Sequence, residues 1–215
     1  MRRLSRKESN EVDRRACRDL AIPSICLMEN AGAGAAAIAM GMLSGRATEA
    51  LCVCGPGGNG GDAMVVARHL AIAGVGVEVV LIEPPRSADA GVQLAICRAM
   101  RLRLSLRADS WGPLGARLRG TGLIVDGIFG TGLTRAPDEG AACAIAAINE
   151  SGTPVLALDL PSGLDSDTGE PLGACVRADV TATFVAPKLG FANPGSRPYT
   201  GEVRIVGIGA PLEWP

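Results

Sequence analysis

The sequence predicts an α/β fold: a three-layer α/β/α sandwich built on a Rossmann-like, mostly parallel sheet. Three observations predict it. Apolar runs of strand type recur along the chain, helix-like stretches separate several of them, and three of the runs end in turns that contain glycine. Strands that alternate with helices cross over and lie parallel. A sheet covered on both faces has strands that are apolar throughout rather than alternating.

The elements follow in order. Two helices open the chain, about Arg6 to Leu20 and Ser24 to Leu43. Strands are predicted at Ala50–Cys54, Val77–Ile82, Gly122–Val125, Pro154–Leu158, Val180–Phe184 and Glu202–Val206, with helices at Asp62–Ala73, Ala88–Arg101 and Ala141–Glu150 between them. The basic run Arg101 to Arg107 alternates with leucine and reads as a strand or helix edge with a solvated face. No linker or low-complexity segment divides the chain, so residues 1–215 are expected to form one domain. Gly32 and Gly34 fall inside a predicted helix, where each costs about 1 kcal/mol against alanine. Close helix–helix contact is the expected compensation. Glu29 and Asn30 beside them are candidates for the edge of a pocket.

The charge balance of -1 offers no field for nucleic acid, which is not an expected partner. Met1 to Asp13 is basic but is followed by no apolar core of the secretory type. The uniformly apolar run Ala31–Leu43 is thirteen residues long, short of the roughly 18 that cross a membrane, so a buried helix and no membrane partner are expected. The seven cysteines are odd in number, and Cys52 and Cys54 lack zinc or redox spacing. Free, mostly buried thiols in a reducing cytoplasm are expected.

The chemistry is concentrated at strand ends, where ligands of open α/β sheets bind. The first turn, Gly55 to Asp62, has six of its eight residues as Gly or Pro. It lets a ligand approach the backbone and leads into a helix N-terminus suited to phosphate, with Asp62 as a candidate cap. The second, Val125 to Arg135, carries Asp126 at its strand end and Gly130-Thr131-Gly132 as a second anion-facing loop, and Arg135 can add a charge-assisted bond. The third, Leu158 to Glu170, places Asp159 at a strand end and Ser162 in a tight turn. Asp165 to Gly169 lacks the order of a calcium loop and reads as a surface turn, a candidate lid. Ser162 is not in a nucleophile elbow, and the sole histidine, His69, lies mid-helix, so a Ser-His-Asp triad is not expected. If the three strands are neighbours, oxygens of Asn59, Asp126 and Ser162 converge with loop carbonyls. One carboxylate among neutral oxygens suits a monovalent cation such as K+ better than Mg2+.

Gly55, Gly57 and Gly60 also spell the dinucleotide fingerprint, and Glu83 stands roughly where a ribose-binding acid is wanted, about 20 residues on. A nicotinamide-dependent oxidoreductase is therefore a competing reading. It leaves the other two turns unexplained and supplies no acid/base residue at a strand end in His69 or Tyr199.

All three turns fit a different family. "LSRKESNEVDRRA", "IPSICLMENAG", the first glycine turn, "VDGIFGTGLTR", "LDLPSGLDSDTGE" and "ADVTATFVAPKLGF" occur in order. Together they resemble the NAD(P)H-hydrate epimerase family, the YjeF N-terminal domain, over nearly the whole chain. The resemblance implies a Rossmann-like fold, a homodimer, and interconversion of the R and S epimers of hydrated NADH or NADPH, with K+ as the ion. It implies substrate contacts at Gly58, Asn59, Gly60, Gly61 and Asp62. A second set is Gly130, Thr131, Gly132, Leu133, Thr134, Arg135 and Ala136, with Asp159 as a further contact. Asn59, Asp126 and Ser162 are the implied potassium ligands. The family turn usually reads G-N-N-G-G-D-G; here Gly58 replaces the first Asn and Ala63 the last Gly. A non-catalytic binding module of the same fold is a further alternative, against which the retained Asn59, Asp126, Asp159 and Ser162 speak. The family often carries a dehydratase domain, so a separate dehydratase is the expected pathway partner.

Epimerisation requires the hemiaminal carbon to be opened and reclosed on its other face. Asp159 is the candidate acid/base, with Asp62 second and Lys188 as a supporting charge.

Overall fold

A computed structural model of the chain describes residues 2–43, 49–106, 117–118 and 120–212. Its elements are α1 (Arg6–Asp19), α2 (Ser24–Leu43), β1 (Glu49–Cys54), α3 (Gly58–Ile72), β2 (Gly76–Leu81), α4 (Ala88–Ala99), β3 (Arg103–Leu106), β4 (Leu123–Gly127), α5 (Glu139–Glu150), β5 (Val155–Leu158), β6 (Val180–Phe184), α6 (Arg197–Thr200) and β7 (Glu202–Val206). The strands form one sheet of order β3-β2-β1-β4-β5-β6-β7, and every pairing is parallel.

The α/β/α layering predicted from sequence is what the chain adopts. Alternate strand residues serve two cores. Cys52, Cys54, Val79, Val125 and Leu156 pack under α2, α3 and α4. Leu51, Val53, Val80, Ile124 and Ala157 pack under α5 on the opposite face. Both faces are covered, which is why the strands carry no polar alternation. The basic run supplies β3, an edge strand whose residues are half-buried or exposed; Arg107 lies outside the described residues. All seven cysteines are free, but Cys17, Cys26 and Cys143 are exposed, so burial holds for only four of them.

Helix α2 runs well beyond the thirteen-residue apolar stretch. At 20 residues with mean hydropathy 1.3 it is long and apolar enough to cross a membrane by length and composition. It packs instead as a core helix, and its glycines show how. A Cβ on Gly32 would lie 2.4 Å from Cβ of Val65 on α3. One on Gly34 would overlap Val206 of β7. Only Gly32 therefore serves helix–helix contact; Gly34 serves contact with the sheet.

The chain leaves β1 outward to β2 and β3, then returns to β4 and proceeds the other way. The switch point lies between β1 and β4, and the loops after these two strands part there to form a crevice. Their closeness depends on Gly55, and the tightness of the first turn itself on Gly60. A Cβ on Gly55 would stand 1.9 Å from the Ile128 carbonyl oxygen, and one on Gly60 1.9 Å from that of Gly55. Gly57 and Gly58 face open space. Gly60→Ala is accordingly expected to destabilise the fold by about 1–3 kcal/mol, in the manner of an overpacked core. Gly58→Ala, facing open space at the first residue of α3, should not destabilise it, because alanine is the better helix former. Urea denaturation of the two variants side by side checks the difference.

Candidate functional site

The glycine turn is tighter than the sequence indicated. Helix α3 starts at Gly58, with Gly57 as N-cap and no side-chain cap bond. Asn59, Gly60 and Gly61 are thus already helical. Asp62 lies one turn inside the helix and is not its cap, which corrects the expectation that the helix begins at Asp62. Glycine is a poor helix former, but the close approach of Gly60 to Gly55 leaves no room for another residue there.

A cleft of two communicating lobes opens over the carboxyl ends of β1, β4, β5 and β6. The larger, about 680 Å³, is lined by Gly57, Gly58, Asn59, Gly130, Thr131, Gly132, Leu133, Arg86 and Ser87. The smaller, about 210 Å³, is bordered on its apolar side by Leu27, Met28, Ala31, Phe184, Val185 and Ile208. Asp13, Gly58, Asp62, Thr131, Asp159 and Phe184 border both lobes.

Two strained turns set the cleft's floor. Asp159 (φ 66°) and Val185 (φ 68°) directly follow β5 and β6. Each is the centre of a γ-turn, closed by Leu160 N donating to Leu158 O and by Ala186 N donating to Phe184 O, both at 2.8 Å. Positive φ at a non-glycine residue costs on the order of 1–3 kcal/mol and clusters at functional positions. The turns bring Asp159 Oδ1 to 2.5 Å from Lys188 Nζ, which also donates to the Phe184 carbonyl at 3.0 Å. Lys188 is 2% exposed, so it is no surface lysine. It is held from both sides, because Leu4 N donates to Pro187 O and Leu189 N to Leu4 O.

Two further carboxyls face Asp159. Burial, and then the charges of Asp159 and Asp13, push the Asp62 carboxyl well above the ordinary carboxylate range. Asp13, on α1, is exposed as a whole residue, yet its carboxyl borders the cleft and is raised to about 6 by burial there and by the Asp159 charge, with Lys188 pulling it back. Sequence reading missed Asp13. The only signal was its place in an amphipathic helix, which does not tell a cleft from open solvent. A carboxyl raised in the folded state binds its proton there before it does in the unfolded chain. The stability it confers is therefore complete below about pH 4 and is lost as the pH rises through about 6. Asp13→Asn should flatten that part of the pH dependence of the melting temperature; thermal unfolding from pH 4 to 7 measures it.

Two of the three expected cation ligands, Asp126 and Ser162, meet at one corner. Ser162 Oγ donates to Asp126 Oδ1 at 2.6 Å, and Ser162 N donates to Asp126 Oδ2 at 2.9 Å. Phe129 N donates to Ser162 Oγ at 2.8 Å, while the Phe129 carbonyl oxygen lies 3.2 Å from the same hydroxyl. One hydroxyl proton cannot serve both Asp126 and Phe129, so the corner is rich in oxygen lone pairs. Asn59 lies against the neighbouring Gly130, directly after Phe129: a Cβ on Gly130 would be 3.4 Å from Asn59 Oδ1. Asn59 is 8% exposed, and among the described residues neither its amide oxygen nor its amide nitrogen has a hydrogen-bond partner. Orphaned buried amides are rare, and an ion or ordered water is their usual explanation. Burial raises Asp126 to about 6, with the Ser162 and Ile128 hydrogen bonds acting against it. Among the described residues no three His, Cys, Asp or Glu side chains gather elsewhere as a metal cluster.

Other candidates fall outside the cleft. Thr134, Arg135 and Ala136 do not line it, and Gly60 and Gly61 are buried behind its wall, Gly61 facing Met28. Glu83 pairs with Arg86 and does not line it. Glu29 binds Arg68 and His69, and Asn30 donates to the Ile208 carbonyl. His69 is thus a structural histidine, and Ser162 is fully buried on Asp126 with no histidine beside it.

Against known sequences, the profile of the family described as "YjeF-related protein N-terminus" matches residues 24–190. This chain belongs to that family. Two relatives named NAD(P)H-hydrate epimerase come from Rhodopirellula baltica and Pirellula staleyi. The first is 39% identical, with 94% of this chain and 82% of the relative covered; the second is 38% identical, with 96% and 92% covered. A bifunctional NAD(P)H-hydrate repair enzyme Nnr of Thermofilum pendens is 39% identical over 93% of this chain, which spans only 38% of that longer protein. Among solved structures, yeast ynu0 superposes with a TM-score of 0.81 at 23% identity, covering 89% of this chain and 84% of its own. That likeness bears on the YjeF fold alone.

Proposed function

We propose that the chain is an NAD(P)H-hydrate epimerase, interconverting the R and S epimers of hydrated NADH or NADPH. The observation that carries this reading is the pair of carboxyls in opposite settings at the centre of the cleft. Asp159 is ion-paired to Lys188, while Asp62 is pushed toward its protonated form. A carboxyl held toward its protonated form beside an ion-paired one supplies a proton donor and a proton acceptor in one cleft.

The hemiaminal carbon carries a hydroxyl and the ring nitrogen. Asp62 donates a proton to the hydroxyl, the carbon–oxygen bond breaks, and water leaves as the nitrogen lone pair forms a C=N bond. Water then adds to the other face and gives a proton to Asp159, and transfer between the two carboxyls restores the starting state. In the smaller lobe Leu27, Met28, Ala31 and Phe184 offer the ring an apolar wall opposite Asp62 and Asp159, and the larger lobe suits the dinucleotide's phosphates beside the α3 N-terminus. The dinucleotide is thus substrate and no hydride moves.

Asn59, Asp126, Ser162 and the Phe129 carbonyl would hold K+; the neutral-rich oxygen set and the orphaned Asn59 amide fit it. A bound cation supplies charge that offsets phosphate and ties the Asn59 turn to the β4 and β5 turns. Homodimer formation and a dehydratase activity that consumes the product are part of the same reading. The test is spectroscopic and chromatographic together. The protein should redistribute the two hydrates while leaving absorbance in the reduced-nicotinamide band constant with any alcohol offered. An alcohol-dependent change in that band would favour an oxidoreductase.

A further inference from the structure

Arg6 opens α1, where a cation is unfavourable against the helix dipole. It is nevertheless held firmly. Its Nε donates to the Thr131 carbonyl at 2.7 Å and its Nη2 to the Leu133 carbonyl at 3.0 Å. The same Nη2 reaches Asp165 Oδ2 at 2.7 Å, and the Arg6 backbone N–H donates to Asp167 Oδ1 at 2.6 Å. Arg6 lies before the segment matched by the family profile, and it does not line the cleft.

What it controls is the loop on the far side. In a trans peptide the C=O and the following N–H point in opposite directions, and the described residues include no cis peptide. A Thr131 carbonyl drawn onto the guanidinium therefore turns the Gly132 N–H away from Arg6. Gly130, Thr131 and Gly132 all line the larger lobe, and none of their N–H groups donates to an acceptor among the described residues. We propose that Arg6 is a positioning residue that aims the free N–H groups of the Gly130–Gly132 loop at the phosphates of the bound dinucleotide. The Asp165–Gly169 turn, a candidate lid by sequence, is then the fixed anchor of this clamp. Asp165 Oδ1 is already bound by Asp167 N and Thr168 N, which leaves Oδ2 for Arg6. Only a planar guanidinium fork spans two carbonyls and a carboxylate; an ammonium does not.

The inference rests on the dinucleotide reading, and its test is chosen to fail separately from it. ADP-ribose, which has the pyrophosphate but no nicotinamide ring, is titrated calorimetrically into wild type, Arg6→Lys and Asp165→Asn. The expected result is binding at least fivefold weaker in Arg6→Lys and about threefold weaker in Asp165→Asn, with melting temperatures close to wild type. In the epimer assay Arg6→Lys should raise KM with little change in kcat, a split that a merely structural role does not give. Unchanged ADP-ribose affinity in Arg6→Lys, or no binding by wild type, overturns the proposal. If Arg6→Lys does not fold, Asp165→Asn decides in the same way. Wild type that binds ADP-ribose but does not equilibrate epimers overturns the epimerase reading and leaves the clamp standing.

Discussion

Asp159→Asn is expected to lower the epimerisation rate by about 10²–10⁴, the usual contribution of a positioned acid or base, while ADP-ribose still binds. The amide keeps the shape of the carboxylate and cannot take the proton. The same change removes the counter-charge of Lys188, which is 2% exposed and lies 2.5 Å away. Leaving a buried charge uncompensated costs on the order of 3–5 kcal/mol, so the variant should also melt earlier. Lys188→Met with Asp159→Asn removes both charges and should recover much of that stability without recovering rate. Rate and melting temperature of the single and double variants separate the two effects. A wild-type rate in Asp159→Asn removes this residue from the chemistry.

The second large effect is expected at Asp126. Its carboxylate accepts from Ser162 Oγ, Ser162 N and Ile128 N in a fully buried setting. Asp126→Ala orphans these donors at about 1–3 kcal/mol for each left unsatisfied, and it takes the one negative charge from the oxygen-rich corner. Wild type is expected to gain melting temperature when K+ replaces a large organic cation at constant ionic strength, as follows for any ligand that binds only the native state. Asp126→Ala should start lower and gain nothing. An equal gain in both would place potassium elsewhere.

Much of the fold and the site is legible in the order of residues alone. The alternation of strands and helices implies the layering, because strands buried on both faces leave a recognisable apolar run. Asn59, Asp126 and Ser162 stand out because polar residues at apolar strand ends are conspicuous. Other features are hidden for physical reasons. Lys188 looks like any surface lysine in a polar turn, and only the two γ-turns bring it onto Asp159. Helix α3 begins four residues earlier than expected because a glycine run argues against helix locally, while packing of Gly60 on Gly55 overrides propensity. Asp13 and Arg6 sit on a charged, amphipathic first helix, where sequence cannot tell a residue facing a cleft from one facing solvent.

Whether the chain is an epimerase is decided by time-resolved separation of the two hydrates, started from one purified epimer of hydrated NADPH and wild-type protein with potassium. The expected result is approach to the same epimer ratio from either starting isomer, much faster than without protein, with total hydrate conserved. Time courses identical to the protein-free control from both isomers would contradict it.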